Sequence, residues 1–266
     1  MPPVLTASPT GTLTASSTAR RHLRAEVALV TFIALGAAAL RAALDLVGAL
    51  TAARPLAAQT AALNTSQAPG RPLLDLGFQL VGILALAAPA GLAAVLLAAG
   101  GVRLQRGADG RWRLGREMLL GAGLAALVGG TGLALYLASY AVGGSLTVVP
   151  SGLPPVWWRL PVLLLSAAAN ALLEEVVVVG YLLTRLRQLG WGDGRALLVS
   201  AAVRGSYHLY QGMAGFVGNL AMGLLFGRIF QRRGRVGALV AAHFLINAVA
   251  FTGWVLLAGR LAWLPR

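Results

Sequence analysis

The chain has 266 residues, 58% of them hydrophobic and only 11% charged, with a mean hydropathy of +0.75. That composition cannot give a soluble domain its polar coat. The formal charge of +14 does not indicate nucleic acid either, because it is carried by arginines in short gaps between apolar runs, where membrane topology requires them. Cysteine is absent, which excludes disulfides, thiol ligands and a thiol nucleophile.

Residues 1–25 are rich in Thr, Ser, Ala and Pro. They cannot bury a core and are expected to be a disordered tail. No apolar stretch follows a basic one within them, so they are not a signal peptide. Arg20, Arg21 and Arg24 stand just before the first apolar run. Seven spans follow, at roughly 26–50, 73–99, 117–142, 157–183, 195–211, 213–231 and 236–258, each near the ~20 residues a helix needs to cross hydrocarbon. The expected fold is therefore an all-α polytopic membrane helix bundle of about seven transmembrane helices. It divides into N-terminal helices over 26–150 and a helical core over 151–260.

The fifth and sixth spans are short and meet at the tight junction "YQGMAG". Trp157 and Trp158, at the head of the fourth, suit a headgroup belt. Gly223 and Gly227, with Gly215 earlier, allow close approach of helix backbones. With the N-terminus inside, fifteen arginines fall in cytoplasmic segments and five in external ones, a bias that fixes the orientation. The loop "RLQRGADGRWRLGR" reads as a topology determinant lying on anionic headgroups.

A few ionisable residues stand inside these spans, where each is expensive unless paired, neutral or functional. Arg41 and Asp45, four apart in the first span, form a self-satisfied pair. Glu174 and Glu175 lie in the fourth span, Arg204 and His208 in the fifth, and His243 and Asn247 in the seventh. Arg204 and His208 share one helix face, as do His243 and Asn247. Adjacent Glu174 and Glu175 point about 100° apart, so one can face a cavity and the other a neighbouring helix. Counted from the cytoplasmic ends, Glu174 lies roughly 13 Å deep, His243 roughly 10 Å and His208 roughly 20 Å. The three spans can thus present carboxylates, imidazoles and an amide to one pocket.

Such a pocket has the parts for peptide hydrolysis. A carboxylate and a histidine can deprotonate water. A second histidine and an amide can stabilise the oxyanion. Glu174, His208 and His243 are alternatively a zinc ligand set, although the helical HExxH pattern is absent. Tyr207, Tyr210 and Gln211 read as packing or pocket wall.

The order Glu-Glu, then histidine, then His-x-x-x-Asn resembles the CAAX-prenyl-protease and bacteriocin-processing (CPBP) family, the Rce1-like, abortive-infection group of intramembrane proteases. Its motifs correspond to "EEVVVVGYL" (174–182), "RGSYHLYQG" (204–212) and "HFLIN" (243–247), so the resemblance covers about 155–255 and makes 151–260 an Rce1-like catalytic core. The resemblance implies Glu174 as general base with His208 assisting, His243 and Asn247 as oxyanion hole, and Glu175 as the orienting carboxylate. Arg204, Tyr207 and Gln211 would support them. It implies no required cofactor, with zinc as the alternative. Two positions depart from the family pattern. Val179 stands where the first motif has arginine, and Arg204 where the second has phenylalanine. Glu175 therefore loses a partner one turn away, and Arg204 is expected to reach across and supply the charge.

The reading is a multi-pass plasma-membrane endopeptidase, N-terminus cytoplasmic, that cleaves a peptide bond near the cytoplasmic leaflet, with membrane lipids and a peptide or membrane-protein substrate, lipidated substrates included, as partners. The alternatives are a non-catalytic immunity or scaffold protein that keeps the fold, and a proton-coupled transporter.

Overall fold

The computed structural model describes residues 17–104, 114–257 and 260. Among them six helices are long and apolar enough to cross a membrane. The first is a continuous rod of α1 (Ser17–Thr31), a π-helical turn (Phe32–Gly36) and α2 (Ala37–Thr51). It begins nine residues before the expected start of the first span, so Arg20, Arg21 and Arg24 lie on its first turns. The expected disorder of residues 1–16 falls outside the described residues, as does most of the arginine-rich 103–116 loop.

Next come α3 (Pro72–Ala99) and α4 (Leu114–Ala141). The fourth rod is α5 (Arg159–Leu172), a ten-residue π-helical segment (Leu173–Leu182) and α6 (Leu183–Gln188). Every residue of the π segment is buried. This rod is the centre of the bundle, and α3, α7 (Asp193–Ser206), α8 (Met213–Arg233) and α9 (Gly237–Leu257) pack around it. The bundle's outward faces are apolar and exposed, with Leu44, Val81, Leu84 and Leu119 among the side chains presented to lipid. Arg41 and Asp45 are 3.9 Å apart on such a face.

The expected fifth span is the element that differs. α7 has only 14 residues, too few to cross hydrocarbon as a helix. The chain continues through a turn at Tyr207 and His208 and a 3-10 turn at Leu209–Gln211. It then reverses at Gly212, whose φ of +90° is open to glycine but strained for other residues. Gly212 lies against Leu146 and Gly144, in the loop after α4, so the crossing is completed by non-helical backbone. Within a membrane such backbone is tolerated only where protein or a polar cavity surrounds it.

One end of the bundle carries a small cap. β1 (Thr60–Ala62) pairs in parallel with β2 (Thr147–Val149), bringing together the loops after α2 and α4. Asn64 ties this cap to the bundle. Its amide donates to the Pro150 carbonyl, and its oxygen accepts from Ser166 of α5. Of the two tryptophans expected at a headgroup belt, Trp157 is exposed. Trp158 instead packs in a cluster with Leu153, Val162 and Phe251, because the cap folds over it.

The opposite end is arginine-rich and tied by charged bonds. Arg185 of α6 pairs with Glu26 of α1 at 3.0 Å and donates to the Leu96 carbonyl at the end of α3. Glu117 of α4 accepts from Arg233 at 2.9 Å and from the backbone N–H of Ala238 at 3.0 Å. A carboxylate from a neighbouring helix thereby caps the start of α9, where unpaired N–H groups favour an anion. α4 can approach α9 this closely because Gly121 faces Ala241. A Cβ at Gly121 would stand 2.7 Å from the Ala241 Cβ.

Candidate active site

The polar residues singled out in the sequence converge on one cluster. Glu174 and Glu175 come from the π segment, Arg204 from the last turn of α7, Tyr207 and His208 from the turn after it, and His243 from α9. The depth mismatch expected for His208 disappears because the fourth rod runs on to Gln188. Glu174 is therefore roughly 21 Å from the end of its rod, comparable to the roughly 22 Å between Asp193 and His208 at helical rise. His243 sits nearer the start of its helix, six residues past Gly237.

Arg204 is the centre of this network. Its guanidinium pairs with the Glu175 carboxylate in a short charge-assisted hydrogen bond, and the same nitrogen lies 3.4 Å from Glu174 Oε2. The pairing expected from the Val179 and Arg204 departures is present, across 29 residues of sequence. Arg204 also sits over the Phe226 ring at 5.6 Å, so its charge meets an aromatic face on α8. The Glu175 oxygen that binds Arg204 also accepts from His243 Nδ1 at 2.8 Å. A carboxylate with two cationic or N–H donors is compensated in hydrocarbon, where a lone one would not be.

Glu174 has different surroundings. Tyr207 donates its hydroxyl to Glu174 Oε2 at 2.8 Å. His208 Nε2 stands 4.0 Å from Glu174 Oε1, beyond hydrogen-bond reach. The other ring nitrogen, Nδ1, is 2.9 Å from the Arg204 carbonyl. A carbonyl only accepts, so Nδ1 carries a proton, and when the ring is neutral Nε2 offers a lone pair toward Glu174.

Accessibility divides the cluster. The side chains of Glu175 and Arg204 are 0% exposed, whereas Glu174 is 8% and His208 13% exposed. The first pair is sealed inside the protein, whereas the second keeps a small part of its surface exposed. One oxygen of Glu175 and two nitrogens of Arg204 have no hydrogen-bond partner among the described residues. Buried polar atoms left unpaired in this way are costly, and a bound water or a functional role is the usual compensation.

Asn247 lies one turn beyond His243 on α9, half-buried and outside this hydrogen-bonded set. Gln211 donates to the Tyr210 hydroxyl at 2.8 Å, and the Tyr210 ring stacks against His208. Both therefore belong to the wall beside His208. Tyr207, read from sequence as packing or pocket wall and given a supporting role by the resemblance, donates to a carboxylate. Its position next to His208 was the only signal available, because a tyrosine in an apolar run has no distinctive spacing. Among the described residues, no three His, Cys, Asp or Glu side chains are disposed to hold a metal ion. The Arg204 guanidinium lies between the carboxylates where a bound cation would have to compete with it, so the set Glu174, His208 and His243 does not fit zinc as arranged here.

A lipid-facing helical bundle, a sealed ion pair at its centre and two reachable proton acceptors beside it together define a multi-pass membrane protein with an intramembrane polar site. Residues 155–249 match the family model described as Type II CAAX prenyl endopeptidase Rce1-like, so this segment is similar to that family. The matched segment contains the whole cluster, while Glu26 and Glu117 lie outside it. No curated protein and no solved structure matches the chain.

Proposed function

We infer that the protein is an intramembrane endopeptidase in which Glu174 and His208 activate a water molecule without a metal. The observation that carries this reading is the 4.0 Å gap between Glu174 Oε1 and His208 Nε2. Both atoms accept, so they cannot bond each other. A water that donates one O–H to each is oriented with its lone pairs outward. Glu174 takes one proton as the water oxygen attacks the scissile carbonyl carbon, and the carbonyl π pair moves onto oxygen. His243 and Asn247 stabilise that oxyanion. Glu175 behind the His243 ring balances the proton that Nε2 must carry to donate. When the C–N bond breaks, the proton on Glu174 passes to the leaving amine, giving a new amine and a new carboxyl terminus.

Tyr207 and Arg204 hold Glu174 in the orientation this needs. The substrate is a peptide segment that reaches the bilayer interior, in a membrane protein or a lipidated one. The protein lies in the plasma membrane with its arginine-rich end and N-terminus in the cytoplasm, as the arginine distribution favours.

A second reading is a non-catalytic member that keeps the fold. It is favoured by the 3.4 Å approach of Arg204 to Glu174, since a carboxylate already engaged by a guanidinium and by Tyr207 has fewer free lone pairs to offer a water. The two readings separate in detergent with a panel of membrane peptides. The endopeptidase cleaves at least one peptide, loses about 10²–10⁴-fold of its rate in Glu174→Gln and is unaffected by chelator. Equal cleavage by wild type and Glu174→Gln refutes the role of Glu174, and loss of activity in chelator refutes the metal-free mechanism.

A further inference from the structure

Ser200 stands one helical turn before Arg204 and two before His208, so the three residues form a single stripe along and just past α7. The stripe meets the π segment in reverse order. Ser200 donates its hydroxyl to the Val178 carbonyl at 2.7 Å, Arg204 pairs with Glu175, and His208 faces Glu174. Ser200 is buried, and its bond is of an unusual kind for this molecule. Five other helical hydroxyls, on Thr51, Thr131, Thr184, Ser206 and Thr252, donate to a carbonyl three or four residues back in their own helix. That is the ordinary outlet for a Ser or Thr in an apolar helix. Ser200 instead crosses to the backbone of another helix.

The acceptor is also particular. Val178 lies within the ten residues of i→i+5 geometry that carry both glutamates. The run Val176–Val179 is a poor α-helix former. Side-chain packing alone, between small residues and valines, gives little resistance to a slip along the axis. A directional hydrogen bond between the two backbones does resist one.

We propose that Ser200 is a positioning residue, which fixes the register of α7 against the π segment and thereby sets the separation of His208 from Glu174. This rests on the water-activation reading given above. With the Val178 bond made, His208 arrives at the depth of Glu174. Without it, Arg204 is the remaining side-chain tie between α7 and the π segment among the described residues, and the turn bearing Tyr207 and His208 shifts relative to the carboxylate.

The test compares Ser200→Ala, which removes the hydroxyl, with Ser200→Thr, which keeps it. It uses the full chain in detergent and two readouts. In cleavage of a membrane peptide, Ser200→Ala is expected to lower kcat by about tenfold to a hundredfold with KM little changed, and Ser200→Thr to retain activity. The second readout needs no activity. The chain has three histidines, so ring-nitrogen NMR of histidine-labelled protein gives three sets of signals, with His22 an internal reference outside the site. Ser200→Ala is expected to move the His208 signals and Ser200→Thr to leave them in place. Unchanged His208 signals in Ser200→Ala, or equal changes in both variants, overturn the proposal. So does a loss of thermal stability in Ser200→Ala with kcat and His208 signals intact, which is the mark of a purely structural bond. If wild type cleaves no peptide, the endopeptidase reading fails, and the NMR comparison alone decides the role of Ser200.

Discussion

Arg204 sets the charge balance of the cluster, and its removal exposes what each carboxylate depends on. Arg204→Phe restores the residue type of the family motif but leaves Glu175 buried with His243 as its remaining partner. Breaking a buried pair from one side costs about 3–5 kcal/mol. The single variant is therefore expected to fold poorly, with a lowered unfolding temperature in detergent. Adding Val179→Arg puts a guanidinium back on the π segment, one turn from Glu175, and is expected to recover part of that loss. A double variant no more stable than Arg204→Phe shows that the two positions do not exchange one charge. The two glutamates, adjacent in sequence, differ in role because one is sealed and the other reachable, a difference made entirely by their neighbours.

At the level of elements, the site depends on how closely α8 lets α7 lie. Gly223 is the contact point. A Cβ there would come 2.9 Å from the Ala201 Cα and 3.3 Å from the Arg204 Cδ. The first neighbour is backbone and cannot rotate away, so α7 has to move. Gly223→Ala is expected to destabilise the protein by about 1–3 kcal/mol, the range for overpacking. Gly218→Ala on the same helix meets only Leu135 at 3.5 Å and is expected to stay within about 0.5 kcal/mol of wild type. Thermal unfolding of both in detergent checks the contrast, and equal losses refute a special role for the Gly223 contact. Gly227, the other half of the small-residue pattern, faces Leu197, a side chain that can adjust. The end of α7 is the second element-scale feature. Its helix stops at Ser206, and the next residues supply Tyr207 and His208 from irregular backbone. In a bilayer such backbone must be enclosed by protein, and here it lines the site.

For the molecule as a whole, the two ends are chemically different, and the difference predicts orientation. The β1–β2 cap closes one end, while Arg185, Arg187, Arg195, Arg232 and Arg233 gather at the other. The chain has no cysteine, so single introduced cysteines report position without a background. Gly192→Cys, exposed between α6 and α7, is expected to react with a membrane-impermeant maleimide only after cells are permeabilised. Ala53→Cys, exposed after α2 at the capped end, is expected to react in intact cells. The reverse pattern refutes the cytoplasmic N-terminus.

Much of this was legible in the chain itself. Apolar runs of membrane-spanning length locate six helices to within a few residues at most ends, since lipid imposes length and composition on each helix separately. The ionisable residues of the site were visible for the same reason, because a charge in an apolar run stands out. The shortness of α7 was hidden, since "SYHLYQG" is as compatible with helix as with turns until its surroundings are known. So was the role of Ser200, whose hydroxyl might have bonded to its own helix as Thr184 does.

What the sequence determined alone is the solvent of the protein, the approximate ends of its spans and the identity of its buried charges. These follow from transfer costs that each residue meets wherever its neighbours lie. What only the tertiary structure decided is pairing: Arg204 with Glu175, Tyr207 with Glu174, Ser200 with Val178, and Glu117 with the start of α9. Each joins positions 22 or more residues apart. Such contacts depend on the rotation and depth of two helices at once, and no local pattern in either helix encodes both.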